Sequence, residues 1–157
     1  MTLRIRWLGR LPYAEAWDLQ RAVHEGRVTG RTQDDSLLLL EPPPTYTVGR
    51  FGTNRNLLVS EEALEESGAE YFHVDRGGDV TFHGPGQLVV YPIISLKRRR
   101  LKVVDFVSGL EQAMIRTAAH WGIEAGTDPA NRGVWIGGDK LGSIGITIRR
   151  GVSFHGL

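Results

Sequence analysis

Between Arg76 and Gln87 the chain reads RGGDVTFHGPGQ, and the five glycine or proline residues of this stretch restrict the fold more than any other feature. Gly77 and Gly78 admit positive φ and let a ligand come close to the main chain, while Gly84, Pro85 and Gly86 form a second tight turn. No helix can pass through such a segment. Between the turns lies a strand-like link of five residues, Asp79, Val80, Thr81, Phe82 and His83. Arg76 and His83 border the glycines. The first offers a bidentate fork to a carboxylate or phosphate, and the second is a proton carrier or donor. Two plain β-turns with Arg76 on the surface are the simpler reading, but polar candidates flanking both turns favour a binding loop.

The elements around this loop alternate in type. LRIRWLG (3–9) has the period-two pattern of a half-buried strand. Pro12 suits the start of a helix, whose face would hold Tyr13, Ala16, Trp17 and Gln20. SLLLLE (36–41) is a short apolar run ended by PPP, read as a buried strand, and TYTVGRFG (45–52) is a strand running into a glycine turn. Ser60 and Gly68 bracket a short helix as cap and stop. QLVVYPIISL (87–96) is β-rich, and Pro92 places it at a sheet edge or bulge. Val103, Val107, Leu110, Met114, Ala118 and Trp121 recur at helical spacing, with Gly122 as the stop. GVWIGGDKLGSIGITI (133–148) reads as one hairpin about residues 137–139, its second strand aligning Ile144, Ile146 and Ile148. Without a regular βαβ repeat, the pattern predicts an α+β fold with a mixed, largely antiparallel sheet flanked by helices.

At 157 residues, 41% hydrophobic and 24% charged, the chain is expected to form one soluble globular domain, residues 1–157. A net charge of +1 gives no general reason to bind nucleic acid. There is no cysteine, hence no disulfide, thiolate metal site or cysteine nucleophile within these residues. No stretch approaches the ~20 apolar residues of a membrane span, and the N-terminus has no signal-peptide core, so a cytoplasmic protein without membrane association is expected.

Two further motifs carry candidate chemistry. In GGDKLGSIGI (137–146), Lys140 follows a tight turn in an apolar hairpin; partly withdrawn from water it would act as a base or anion partner, whereas an exposed hairpin lysine is the bland alternative. Gly142 and Gly145 flank Ser143 and leave backbone N–H groups open to a ligand carbonyl. In SFHGL (153–157), His155 is as well explained by a satisfied strand position as by function. The five histidines include no i, i+4 pair, so no metal is expected. KRRR (97–100) reads as a solvated loop able to dock an acidic partner. The sequence lacks a phosphate-binding P-loop and a GxGxxG motif, so no nucleotide cofactor is expected.

RGGDVTFHGPGQLVVYPI and DKLGSIGITIRRGVSFHGL resemble the lipoyl(octanoyl) transferase family, and NRGVWIG (131–137), PPPTYTVGR (42–50) and the helix of 103–122 fall where that family would have them. The resemblance implies the α+β core of biotin and lipoate protein ligases, and transfer of octanoyl from octanoyl-acyl carrier protein to a lysine of lipoyl domains, without ATP. The acceptors it implies are the E2 subunits of 2-oxoacid dehydrogenases and the glycine cleavage H protein. Arg76, Gly77, Gly78, Asp79, Val80, Thr81, Phe82 and His83, with Ser143, Ile144, Gly145, Gly156 and Leu157, would line the acyl and pantetheine site. Lys140 matches the family lysine that lowers the pKa of a cysteine nucleophile and serves as general acid/base. That cysteine lies in a later segment of the family pattern, so a C-terminally truncated chain is expected. A short variant using Lys140 for direct aminolysis, an ATP-dependent lipoate ligase and a non-catalytic acyl- or lipoyl-domain-binding module are the alternatives. A monomer is expected.

Overall fold

The computed structural model describes residues 2–52 and 57–157. In chain order the elements are β1 (Leu3–Arg10), α1 (Tyr13–Thr29), β2 (Asp35–Glu41), β3 (Thr45–Val48), α2 (Glu61–Glu66), β4 (Glu70–His73), β5 (Val80–His83), β6 (Val89–Ile93), α3 (Leu96–Arg99), α4 (Val103–His120), β7 (Gly126–Thr127), β8 (Val134–Ile136), β9 (Asp139–Gly142), β10 (Gly145–Arg149) and β11 (Val152–Gly156). They form two compact units: Met1–Ser95 with Gly145–Gly156, and Leu96–Ile144 with Leu157. No helix among the described residues is long and apolar enough to cross a membrane.

The first unit is α+β with mixed sheets, as the sequence pattern predicts. β1 runs parallel to β2 and β6 antiparallel to it, and β3 pairs in parallel with β4 and antiparallel with β5. The core is built where the leucine run predicts it. Leu38 and Leu40 on β2 meet Val89, Tyr91 and Ile93 on β6, with Ala16 of α1 and Val152 of β11 closing the cluster. Helix α1 starts after Pro12 and ends at Gly30, whose φ of 80° is the left-handed stop a side chain would oppose. Its buried face carries Tyr13, Ala16, Gln20, His24 and Arg27, at three- and four-residue spacing. Three of these are polar, which lowers the apolar contrast that sequence reading relies on. Arg27 pairs through Nε with Asp35 at 2.8 Å, and Asp35 also accepts from Ser95 N–H at 3.0 Å.

Pro92 sits where its missing donor does least harm. β6 is an outer strand of the β1–β2–β6 ladder, and β11 reaches it beyond the proline, through Ser153 N–H to the Ile94 carbonyl at 2.9 Å. β1 departs from expectation, because Ile5 and Trp7 remain 66% and 63% exposed rather than half-buried.

In the second unit α4 spans the expected helix, and Gly122 ends it at φ 73°. The buried face holds Phe106, Glu111 and Ala118, flanked by partly covered Val107, Leu110 and Met114, whereas Val103 and Trp121 are exposed. The apolar periodicity thus located the face to within about half a turn. It missed Glu111, which accepts from Gly133 N–H at 3.3 Å and anchors the loop before β8. The KRRR stretch is one helical turn, α3, followed by Arg100 at φ 56°, rather than a loop.

The single hairpin expected over residues 133–148 is two structures. β8 and β9 form the hairpin about Gly137 and Gly138, and β10 leaves to pair with β11 in the first unit. The break falls between Gly142 and Gly145, each pressed against a different neighbour. A Cβ at Gly142 would lie 2.6 Å from Met114 Sδ, and one at Gly145 would lie 3.0 Å from Arg76 Cδ and 3.1 Å from the Gly77 carbonyl.

Candidate functional site

The glycine loop between β4 and β5 is organised from within by Arg76. The residue is buried, and its guanidinium donates to the carbonyls of Thr47 (2.8 Å), Gly77 (2.9 Å) and Asp79 (2.9 Å), and to Thr47 Oγ1 at 2.8 Å. This corrects the expected role of the fork. Its donors hold main-chain oxygens of the loop and of β3 instead of standing open to a ligand carboxylate, and burial lowers the guanidinium's affinity for its proton.

Thr47 and Gly49, both absent from the sequence-derived site, complete this arrangement. Thr47 is buried and shares one face of β3 with Thr45, against Thr81 and His83 of β5. A side chain on Gly49 would collide with the Gly78 carbonyl and lie 2.8 Å from Arg76 Nη1. Backbone bonds lock the two loops: Gly49 N–H to Asp79 O at 3.1 Å and Arg50 N–H to Arg76 O at 3.0 Å. The available signal was the pair of threonines at alternate positions leading into VGRFG, opposite a glycine loop of equal density.

His83 extends the network. Its Nδ1 lies 2.6 Å from Gln87 Oε1, and its Nε2 lies 3.4 Å from Thr47 Oγ1. Burial lowers its pKa; the bond to Gln87 opposes that shift and the charge of Arg76 adds to it. The ring is therefore neutral at pH 7, donating from Nδ1 to Gln87 and leaving Nε2 as an acceptor for the Thr47 hydroxyl, which itself accepts from Arg76. On the other face of β5, Phe82 is 49% exposed and packs against Tyr46 with ring centres 5.0 Å apart and planes tilted by 51°, with Val80 on the same side.

Of the remaining candidates, the structure brings Gly145 onto the loop, with Gly77 N–H donating to Ile146 O at 3.4 Å. Gly78, with φ 89°, is exposed, and its N–H meets no acceptor among the described residues. Gly156 has a packing explanation, since any side chain there would strike the Val90 carbonyl. His155 is buried, takes φ 60°, and bonds through Nε2 to Asp75 Oδ1 at 2.9 Å, while Gln20 Oε1 accepts its backbone N–H at 2.6 Å. It is a satisfied strand histidine. Burial dominates its lowered pKa, against the opposing pull of Asp75. Asp75 is shifted downward despite its partial burial, because His155 and Arg149 favour the carboxylate.

In the second unit, Lys140 on β9 is exposed rather than withdrawn from water, with Nζ 4.7 Å from the ring centre of Trp135 on β8. Ser143 is exposed, while Ile144 and Leu157 are half-buried. Among the described residues no group of three histidine, aspartate or glutamate side chains can hold a metal ion.

The sequence matches the lipoyl protein ligase A/B catalytic domain over residues 12–157, through both units. The chain belongs to this family. It is 45% identical to an octanoyltransferase of Desulfotalea psychrophila over 152 residues, covering 96% of this chain and 68% of that protein. Octanoyltransferases of Syntrophobacter fumaroxidans and Rubrobacter xylanophilus are 47% and 49% identical, with 96% and 95% of this chain covering 65% and 67% of theirs. The chain thus spans about two thirds of the length of these curated relatives. Among solved structures, lipoate-protein ligase A bound with ATP superposes with a TM-score of 0.76 at 15% identity, covering 98% of this chain and 64% of that one. P. falciparum LipL1 in complex with lipoate gives 0.73 at 15%, covering 98% and 46%. Both share the fold of this lipoyl protein ligase A/B catalytic domain, whose glycine loop and β10 are the parts that meet in the first unit.

Proposed function

We propose that this chain is the acyl-binding core of an octanoyltransferase that moves octanoyl from octanoyl-acyl carrier protein to the lysine of a lipoyl domain, modifying the E2 subunits of 2-oxoacid dehydrogenases and the glycine cleavage H protein. The observation that carries the reading is identity of 45% to 49% with octanoyltransferases over nearly the whole chain, against 15% with the ligases of the same fold.

The donor is a thioester, already activated, so transfer exchanges a C–S bond for an amide C–N bond. The carrier thiol leaves and the acceptor amine gives up a proton. Gly77, Gly78 and Gly145 give main chain that approaches the acyl group without side-chain obstruction. Gly78 N–H is the donor best placed to meet the developing oxyanion, a role worth about 3 kcal/mol per well-aimed group. Val80 and Phe82 supply apolar surface for the alkyl chain, and Thr81, His83, Asp79 and Gly156 of the first unit, with Ser143, Ile144 and Leu157 of the second, are assigned to the substrate by the family resemblance. Neutral His83, its Nε2 accepting from the Thr47 hydroxyl and its Nδ1 donating to Gln87, holds the network beneath this surface in place. Lys140 is assigned as general acid/base and as the cation that favours a thiolate partner. The chain contains no cysteine, so the acyl-enzyme step draws its nucleophile from outside these residues.

The deciding assay follows octanoyl from carrier protein to a purified lipoyl domain by mass, with the purified protein and without ATP. Transfer in the absence of nucleotide supports the reading. Strict dependence on ATP and free lipoate would move the assignment to ligase, and octanoate binding without turnover would move it to a binding module.

A further inference from the structure

A cavity of about 370 Å³ opens on the first unit beside the glycine loop, lined by Trp17, Arg21, Arg50, His73, Asp75 and Arg149. Its polar walls are rich in donors and poor in acceptors. Arg21 lies over the Trp17 ring, its guanidinium carbon 3.9 Å from the ring centre, and contacts exposed Asp18 at 3.3 Å. Arg50 is tied to the loop by the Asp75 carbonyl at 3.4 Å. Arg149 pairs with Asp75 Oδ2. The one carboxylate lining the cavity is already occupied, through Oδ1 with His155 and Oδ2 with Arg149. Three arginines, each held by a contact of its own, therefore line an open space, and the carboxylates beside them, Asp75 and the exposed Asp18, leave one positive charge unbalanced. Arginine forks held in this way match the oxygens of a phosphate group, and the open mouth leaves such a group partly hydrated.

We propose that this cavity seats a phosphate ester, the phosphodiester that joins a pantetheine arm to its carrier protein. The position fits that ligand. The arm is long, so its phosphate belongs outside the loop that meets the thioester, on surface continuous with it, and Arg50 supplies that continuity through its N–H bond to the Arg76 carbonyl at 3.0 Å. The proposal rests on the carrier-protein donor of the preceding subsection.

Calorimetric titration of the 157-residue chain with 4′-phosphopantetheine, pantetheine and AMP at low ionic strength tests it. 4′-Phosphopantetheine should bind roughly tenfold tighter than pantetheine, as the loss or gain of a charge-assisted contact predicts. That advantage should vanish in Arg21→Gln and Arg50→Gln and shrink with added salt. Both side chains are exposed, and thermal unfolding of each variant should match the parent. Equal affinity for the two pantetheines overturns the proposal, as does AMP binding as tightly as 4′-phosphopantetheine, which would make the cavity a nucleotide site. Because the readout is binding, it does not depend on the transfer assay: equal affinities would remove the phosphate site and leave octanoyl transfer standing.

Discussion

Arg76 illustrates how one residue can be legible in type and misread in direction. Its place beside Gly77 and Gly78 marks it as important, but the fork turns inward because the loop it belongs to bends main-chain carbonyls toward it. A guanidinium meets three carbonyls and a hydroxyl at once, and an ammonium cannot. Arg76→Lys should therefore lower the unfolding free energy by about 2 kcal/mol, with the urea midpoint shifted at constant slope. A variant as stable as the parent would mean that these oxygens find other donors. Lys140 sits at the opposite extreme, exposed on β9 with its amine over Trp135. If it shuttles a proton, Lys140→Ala should cut transfer by roughly a hundredfold. Lys140→Arg should do no better, since arginine keeps its proton at working pH, whereas a merely structural cation would be rescued by arginine.

At the level of elements, the strands and helices follow the pattern of the sequence closely, because apolar period and glycine stops are local. SLLLLE became β2 and the amphipathic run after Lys102 became α4. Partner choice is not local, and there the reading failed. Nothing in KLGSIGI says that β9 pairs with β8 while β10 pairs with β11, since the deciding contacts are with Met114, Arg76 and Gly77. Likewise Thr47 and Gly49 belong to the loop of Arg76 through a pairing no short-range pattern announces. The glycines at these junctions differ in what they face, and that difference is measurable. A methyl at Gly142 meets the flexible end of Met114, 2.6 Å from Sδ, which can move; Gly142→Ala should cost about 1 kcal/mol, most of it recovered in combination with Met114→Ala. A methyl at Gly156 meets the Val90 carbonyl and Pro92, which cannot move without breaking β6, so Gly156→Ala should cost about 4 kcal/mol or prevent folding. Comparable losses at the two positions would mean that Met114 is as immovable as the Val90 carbonyl.

Across the whole molecule, three of the five histidines are held neutral by their surroundings, and this sets how stability responds to acid. His24 packs edge-on to Phe154 with ring centres 5.2 Å apart, His83 lies near the Arg76 charge, and His155 is enclosed near Arg76 and Arg149 despite its bond to Asp75. In each, burial is the largest cause of a pKa below the ordinary value. The unfolded chain takes up protons at these rings near pH ~6.5, while the folded chain does so only at lower pH. Between those limits the unfolded state binds more protons, so stability is fully present above about pH 6.5 and falls as the medium is acidified through the folded values. Each such proton contributes a slope of at most about 1.4 kcal/mol per pH unit. Asp75 acts in the same direction at lower pH: its depressed carboxyl stabilises the fold above the usual carboxylate range, about pH 4, and that contribution disappears below it. Urea unfolding from pH 7.5 to pH 5 should accordingly reveal falling stability, with a shallower dependence in His24→Gln, which removes one of the three rings without touching the glycine loop. A flat profile would mean that these histidines bind protons equally in the folded and unfolded chain, and a slope unchanged by His24→Gln would mean that His24 is not one of the rings held neutral.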